Sequence, residues 1–351
     1  MTMIVDVLQN THLRYASDMS LPPLKIGPYT LASPLVLAPM AGVTDAPFRR
    51  ICRRFGAGMT TSEMTTADTS LWQTPKSRYR LDLDLDAEPV AVQIAGSEPQ
   101  QLAQAAVACV ERGAQIIDIN MGCPAKKVCK KLAGSALLQD EKLVAEILTS
   151  VVAAVSVPVT LKIRTGWDPE NRNAVKIARI AEDSGVQSLA VHGRTRACRY
   201  KGTAEFETIA RVKGAVGIPV IANGDITTLK KSLEVLRLTN CDGLMIGRGA
   251  QGRPWIFREL GQLLNPDQHL PQLDKYDLRD IMLDHLDELH RFYGELTGVR
   301  VARKHLTLYC NSLENAEEFR HQVVRVESAS EQISLARTYF DREDGGVSLA
   351  A

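Results

Sequence analysis

Residues 116–127 read IIDINMGCPAKK, and the two halves of this stretch decide how the rest of the chain is read. IIDINM is β-rich and mostly apolar, as a strand covered on both faces should be. It breaks at a Gly-Cys-Pro step and runs on into lysines, so a buried strand delivers polar chemistry at its C-terminal end. Seven more segments of this kind recur at intervals of about 25 to 40 residues. They are LVLAPM (35–40), MTTSEM (59–64), VAVQIA (90–95), VTLKIR (159–164), LAVHG (189–193), PVIANG (219–224) and GLMIG (243–247).

Between them the apolar positions take helical spacing. Thr44 or Asp45 with Pro47, and Glu98 with Pro99, mark helix starts, while Gly113 and Gly185 mark helix ends. Eight alternating βα units predict an α/β TIM barrel over residues 25–260, with its active site where the strands end. From about residue 275 the strand alternation stops, and YDLRDIMLDHLDELHRFYG and VRVARKHLTLYCNSL carry helix-period apolar positions. A smaller all-α domain over 275–340 is expected, reached through a linker at 261–274 that carries two prolines. Residues 1–24 read as an N-terminal extension and 341–351 as a C-terminal tail, with the first 20 and last ten residues poorly ordered.

Composition narrows the class. The 351 residues are 45% hydrophobic and 24% charged, which suits a soluble globular protein with a sizeable core. The seven cysteines are odd in number and scattered, with no C-x-x-C spacing, so a reducing compartment is expected. No apolar run approaches the roughly 18 residues of a membrane span. Asp6, His12, Arg14 and Asp18 occupy the stretch where a signal peptide needs an apolar core. A cytoplasmic protein without membrane contact is expected. A formal net charge of +1 says nothing for nucleic acid on its own, so local clusters must decide.

Five strand ends present Gln93, Asn120, Lys162, His192 and Asn223. Each alone is an ordinary loop hydrogen-bonder, but five from five strands converge on one barrel mouth. Lys162 is the sharpest, because an unpaired ammonium inside a barrel costs several kcal/mol, about what an anionic ligand would remove. GRGAQGRP (247–254) matches G-x-G-x-x-G. A Rossmann reading fails, since no second strand closed by an acidic residue follows within about 20 residues. Glycines Gly224, Gly247 and Gly249 with Arg248 instead suit a phosphate cradle at the last two strands. Gln93 and Lys162 at the other end suit the pyrimidine ring of a flavin, so FMN accounts for both ends of the mouth.

Cys123 has three readings: apolar filler, metal ligand or covalent nucleophile, or proton donor from a neutral thiol. The metal reading lacks partners, since Cys129 lies six residues on with no histidine or third cysteine near. No metal site is expected.

IIDINMGCPAKKVCKKLAGS (116–135) resembles the signature of the tRNA-dihydrouridine synthases. APMAGVTDAPFR (38–49), VQIAGSEP (92–99), LKIRTGWD (161–168), VHGRTR (191–196), NGDI (223–226) and IGRGAQGRPWIF (246–257) are similar to that family's other blocks, in order. The pattern is most similar to the bacterial B subgroup. The resemblance implies an FMN enzyme that uses NADPH or NADH to reduce the 5,6 double bond of a uridine in the tRNA D-loop, at position 17 by subgroup. It implies FMN contacts from Pro39, Met40, Ala41, Gln93, Lys162, His192, Asn223, Gly224, Asp225, Gly247 and Arg248, and Cys123 as catalytic acid. Asn120 would meet the uracil edge and Lys162 and His192 its carbonyls, unless His192 serves the flavin phosphate instead. The chemistry agrees independently. Hydride arriving at uracil C6 leaves an enolate-like charge, and C5 then needs a proton from a donor such as a thiol with pKa near 8.5.

Cations cluster after three strand ends: Lys126, Lys127, Lys130 and Lys131; Arg194, Arg196, Arg199 and Lys201; Arg248 and Arg253. On one face of a near-neutral protein they favour a polyanion. Lys126, Lys127, Arg164, Arg194, Arg196 and Tyr200, with Arg300 and Lys304 from the helical domain, are the candidate tRNA contacts. Residues 275–351 hold ten Lys or Arg against fourteen Asp or Glu, so that segment is not a basic tail. Arg49/Arg53 and Arg50/Arg54 read equally as phosphate contacts or a solvated face. A monomer is expected. The alternatives are a small-molecule flavin oxidoreductase of the dihydroorotate dehydrogenase type, or an RNA-binding barrel that keeps FMN structurally.

Overall fold

The computed structural model describes residues 22–84, 86–263 and 271–341. The expected extension up to residue 21, part of the expected linker (264–270) and the tail from 342 lie outside the described residues.

A short antiparallel hairpin comes first, β1 (Lys25–Ile26) and β2 (Tyr29–Thr30), turned at Gly27 with φ +56°. Nine parallel strands follow: β3 (Leu35–Leu37), β4 (Met59–Thr60), β5 (Thr65–Thr66), β6 (Ala91–Ala95), β7 (Ile116–Met121), β8 (Val159–Arg164), β9 (Ser188–His192), β10 (Val220–Asn223) and β11 (Gly243–Ile246). Their hydrogen-bonded order is β4-β3-β11-β10-β9-β8-β7-β6-β5, and a parallel bridge from Thr61 to Ala91 joins β4 to β6. The expected α/β barrel is therefore the observed one.

One expected strand is different. MTTSEM (59–64) is not one continuous strand: β4 ends at Thr60, a single bridge at Thr61 follows, and the next strand begins only at Thr65. In the gap the Gln93 N–H donates to the Ser62 hydroxyl at 3.1 Å, so a side chain replaces a ladder carbonyl. LVLAPM (35–40) likewise ends at Leu37, and the Met40 N–H turns onto Thr44 Oγ1 at 2.9 Å.

Alternation along the strands sorts the barrel interior by height. Near the strand starts Val36, Met59, Ala91, Ile116, Ala190 and Ile221 form an inner apolar cluster with Leu24, Ile26 and Leu31 of the hairpin segment. Two residues further along the same faces come Gln93, Asp118 and Asn223. The floor is thus apolar and the mouth polar.

Helices cover the outside: α1 (Ala46–Arg54), α2 (Pro75–Arg80), α3 (Pro99–Val110), α4 (Lys126–Cys129), α5 (Glu141–Ala154), α6 (Ala174–Asp183), α7 (Glu207–Lys213), α8 (Leu229–Thr239) and α9 (Ile256–Leu260). Asp45 caps α1 by accepting the Phe48 N–H at 3.0 Å, with Pro47 in the first turn. Gly113 and Gly185, at φ +96° and +87°, follow α3 and α6 where a left-handed residue is needed.

Four further helices close the chain: α10 (Lys275–Tyr293), α11 (Glu295–Cys310), α12 (Glu317–Val323) and α13 (Ala329–Asp341). They dock on α1. Arg50 pairs with Glu288 at 3.3 Å and Arg54 with Asp284 at 2.8 Å, while His305 Nε2 lies 3.2 Å from Asp45 Oδ2 in a buried seam. Arg49 is buried against Asp86 at 2.5 Å, and Arg53 donates to the carbonyls of Ala57 and Glu88. Both arginine pairs left open by the sequence therefore hold α1 in place, because each guanidinium finds a carboxylate or carbonyl within reach.

Candidate active site

A cavity of about 1080 Å³ opens at the polar end of the barrel. Its wall includes every residue expected at the cofactor: Pro39, Met40, Ala41, Gln93, Lys162, His192, Asn223, Gly224, Asp225, Gly247 and Arg248. Asn120, Cys123, Lys126, Arg164, Arg194 and Tyr200 line it too, and Lys304 and Leu308 reach it from α11. Lys127, Arg196 and Arg300 are outside that wall. Arg196 instead sits over the Trp167 ring at 4.2 Å.

Lys162 is 9% exposed and donates to Asn223 Oδ1 at 3.0 Å, while Asn223 Nδ2 is spent on the Met245 carbonyl at 2.7 Å. Burial, helped by Arg164, lowers its pKa to about 8. The ammonium has three donors and one protein acceptor here, so spare donors remain for a ligand in the cavity. Burial and the cations Lys162, Arg164, Arg194 and Arg248 push His192 well below its ordinary range, so its imidazole is neutral.

At β10 and β11, Arg194 grips Asp225 with two bonds of 2.9 and 2.6 Å, and Arg248 adds a third at 2.9 Å. Two cations against one carboxylate leave the corner net positive. Burial opposes ionisation of Asp225, but the bonds from Arg194 and the Ala204 N–H outweigh it and hold the carboxyl low. A Cβ on Gly224 (φ +127°) would stand 2.7 Å from the Ala204 Cβ, and one on Gly249 2.6 Å from the Ile226 carbonyl. The glycines therefore keep this corner low-walled.

Cys123 is held by its backbone from both sides. Its N–H donates to Asn120 Oδ1 at 3.0 Å, and its carbonyl accepts the Ser135 hydroxyl at 2.8 Å and the Ser135 N–H at 3.1 Å. Gly134, at φ +63°, makes that clasp possible, since a Cβ there would lie 2.8 Å from the Cys123 oxygen. Burial raises the thiol's pKa, and the Ala125 N–H only partly offsets this, so the group is protonated at neutral pH.

The expected cation clusters divide. Arg164 is 2% exposed and braces the mouth, donating to the carbonyls of Gly122 (2.8 Å), Thr195 (2.9 Å) and Arg199 (2.7 Å). Arg253 pairs with Glu259, and Arg303 turns to the Val326 carbonyl. Lys126, Lys127, Lys130 and Lys131 are exposed beside the mouth. Tyr200 is 54% exposed between the guanidinium groups of Arg164 and Arg248, at 5.3 and 5.2 Å.

Sequence reasoning missed Met64, Ile226, Thr227 and Gln251 on the wall, which carry no chemical signature. It also missed Asp118, buried under Gln93, whose signal was an acidic residue inside an apolar strand. Among the described residues one His and Asp cluster brings three possible metal-ligand atoms within 4.8 Å: Asp45, His285 and His305, in the seam. Asp45 already serves the α1 cap and Tyr293, and His285 Nδ1 meets the Tyr309 hydroxyl, while His285 Nε2 is buried without a partner.

The dihydrouridine synthase (Dus) family model matches residues 36–343, spanning barrel and helical domain together. A tRNA-dihydrouridine synthase B of Pseudomonas aeruginosa is 59% identical over 329 residues, 93% of this chain and 99% of that one. Those of Xanthomonas axonopodis pv. citri and Vibrio cholerae are 56% and 55% identical, each over more than nine-tenths of both chains. Among solved structures, the 6-hydroxypseudooxynicotine amine oxidase of Pseudomonas geniculata superposes with a TM-score of 0.54 at 16% identity, covering 72% of this chain and 50% of that one, a likeness of fold alone. No helix among the described residues is long and apolar enough to cross a membrane. With the family model covering nearly all of the described fold and these relatives matching over more than nine-tenths of both chains, the chain belongs to the dihydrouridine synthase family.

Proposed function

We propose that this protein reduces the 5,6 double bond of a tRNA D-loop uridine to 5,6-dihydrouridine, at position 17, with FMN in the barrel mouth and NADPH or NADH as donor. The observation that carries this reading is the pairing of a protonated, backbone-clasped Cys123 with a buried cation, Lys162, on the wall of one cavity. The family and the names of its relatives supply the substrate class.

The residues suit FMN at both ends. Lys162 has spare donors for ring carbonyls, and Gln93 has one amide hydrogen left after bonding Asp118. The glycine-walled corner with Arg248, which has donors to spare beyond its bond to Asp225, suits a phosphate monoester. When bound, FMN supplies the hydride. Lys162, as a cation, would stabilise negative charge developing in the mouth. Asn120 holds the Cys123 loop, and Cys123 gives its Sγ proton to uracil C5. Arg164 fixes the walls through three carbonyls, while exposed Lys126, Tyr200 and Lys304 face incoming RNA. Reaching the base requires it to leave its stack.

The test is a position-resolved map of dihydrouridine in tRNA from cells lacking this protein, then after complementation. Loss at one D-loop site, restored by wild type and not by Cys123→Ala, is expected. An unchanged map would overturn the tRNA reading in favour of a small pyrimidine substrate.

A further inference from the structure

We propose that Asp118 is a positioning residue, whose carboxylate fixes the direction of a hydrogen-bond chain ending on the backbone of Cys123. This rests on Cys123 being the proton donor, and it deepens that reading. Asp118 sits inside β7, 5% exposed, two residues before Asn120 on the same inward face. Its Oδ2 accepts from Gln93 Nε2 at 2.7 Å and its Oδ1 from the Thr160 hydroxyl at 2.7 Å. Gln93 Oε1 then accepts from Asn120 Nδ2 at 2.7 Å. Asn120 Oδ1 in turn accepts the N–H groups of Cys123 at 3.0 Å and Gly122 at 3.3 Å.

An amide can face either way in a symmetric setting, because its oxygen and nitrogen ends have almost the same shape. An ionised carboxylate removes that freedom, since it only accepts. Gln93 must offer its amino end to Asp118 and so its oxygen to Asn120. Asn120 must answer with its amino end, which leaves its oxygen for the Cys123 loop. One buried anion thereby sets two amide orientations and the acceptor on which the loop hangs. It also fixes Gln93 as a donor toward the cavity. Burial raises the pKa of Asp118 above the ordinary carboxylate value, and the two donors with the nearby Lys162 charge offset only part of that rise.

Asp118→Asn keeps the shape but can donate, so the chain can reverse and the Cys123 N–H loses its acceptor. The readout is the rate of Cys123 alkylation by iodoacetamide, followed by peptide mass spectrometry and needing neither tRNA nor turnover. Asp118→Asn should alkylate about three- to tenfold faster than wild type, with a similar fall in kcat and little change in KM for tRNA. The double variant Gln93→Glu with Asp118→Asn moves the carboxylate one link along. Glu at 93 still accepts from Asn120, so alkylation should return to within about twofold of wild type. Should Asp118→Asn not fold, Thr160→Val removes one donor from the carboxylate and should give a smaller increase in the same direction. A wild-type alkylation rate in the single variant, or a double variant no slower than the single, overturns the proposal. If wild-type protein makes no dihydrouridine, the proposed function fails, and the alkylation rates still decide the role of Asp118.

Discussion

The protein holds two buried polar networks, and they are finished in opposite ways. At the barrel mouth, Gln93, Asp118, Asn120, Lys162 and Asn223 bond one another but leave donors pointing into open space. In the seam between barrel and helical domain, Asp45 takes the Phe48 N–H, His305 and the Tyr293 hydroxyl, and His285 meets the Tyr309 hydroxyl at 3.0 Å. Aromatic rings seal that cluster, with Phe48 packed on His285 and His305 at centroid distances of 5.7 and 5.5 Å. A network with spare donors on a cavity is built for a ligand, whereas one wrapped in aromatic rings, where His285 Nε2 is buried without a partner, is built for docking.

That contrast can be broken by substitution. The largest effect belongs to the mouth: Cys123→Ala should lower the rate of dihydrouridine formation by about 10²- to 10⁴-fold with unfolding temperature unchanged, the range for a lost general acid. A comparable loss of flavin on purification is expected for Lys162→Ala with Arg248→Ala, read from the flavin absorbance per protein. Retained flavin would mean that the cavity holds its ligand by other means.

The seam should respond in stability and not in flavin content. Asp45→Ala removes a helix cap and leaves His305 and Tyr293 without their acceptor, a cost of about 2 to 4 kcal/mol in denaturant unfolding. Loss of flavin without loss of stability would erase the distinction between the two networks.

Acidity separates them more gently. Burial, with His305 adding to it, drives the pKa of His285 down to about 3 from an ordinary value near 6.5. Between those values the unfolded chain binds the proton and the folded one does not, so stability falls as pH drops through this window. The mouth titrates at the other end of the scale. Lys162 loses its charge as pH rises through about 8, so affinity for an anionic ligand, followed by titration calorimetry, should decline above that pH.

Much of the barrel was legible because strands covered on both faces must be apolar, and β6 to β11 stand within a residue or two of their expected places. The split second strand was not, since it depends on the Ser62 hydroxyl meeting the Gln93 N–H, 31 residues away in sequence. The polar strand ends were legible one by one, and the structure brings all five to one cavity. The fate of the arginines was hidden for the reason that hid the split strand. Arg194 reads as an open cation until Asp225 is found beside it, and Arg164 until three loop carbonyls close around it. Charge patterns in a chain reveal supply, while pairing is decided by partners that only folding brings near.

The hairpin under the barrel has a consequence for traffic. Leu24, Ile26 and Leu31 stopper the apolar end, so the barrel is a cup rather than a tube. Under the proposed chemistry, whatever delivers electrons and whatever receives them would use the same doorway. Under the proposed chemistry the nicotinamide and the uridine cannot queue from opposite sides. They take turns, and the protein must store reducing power between visits.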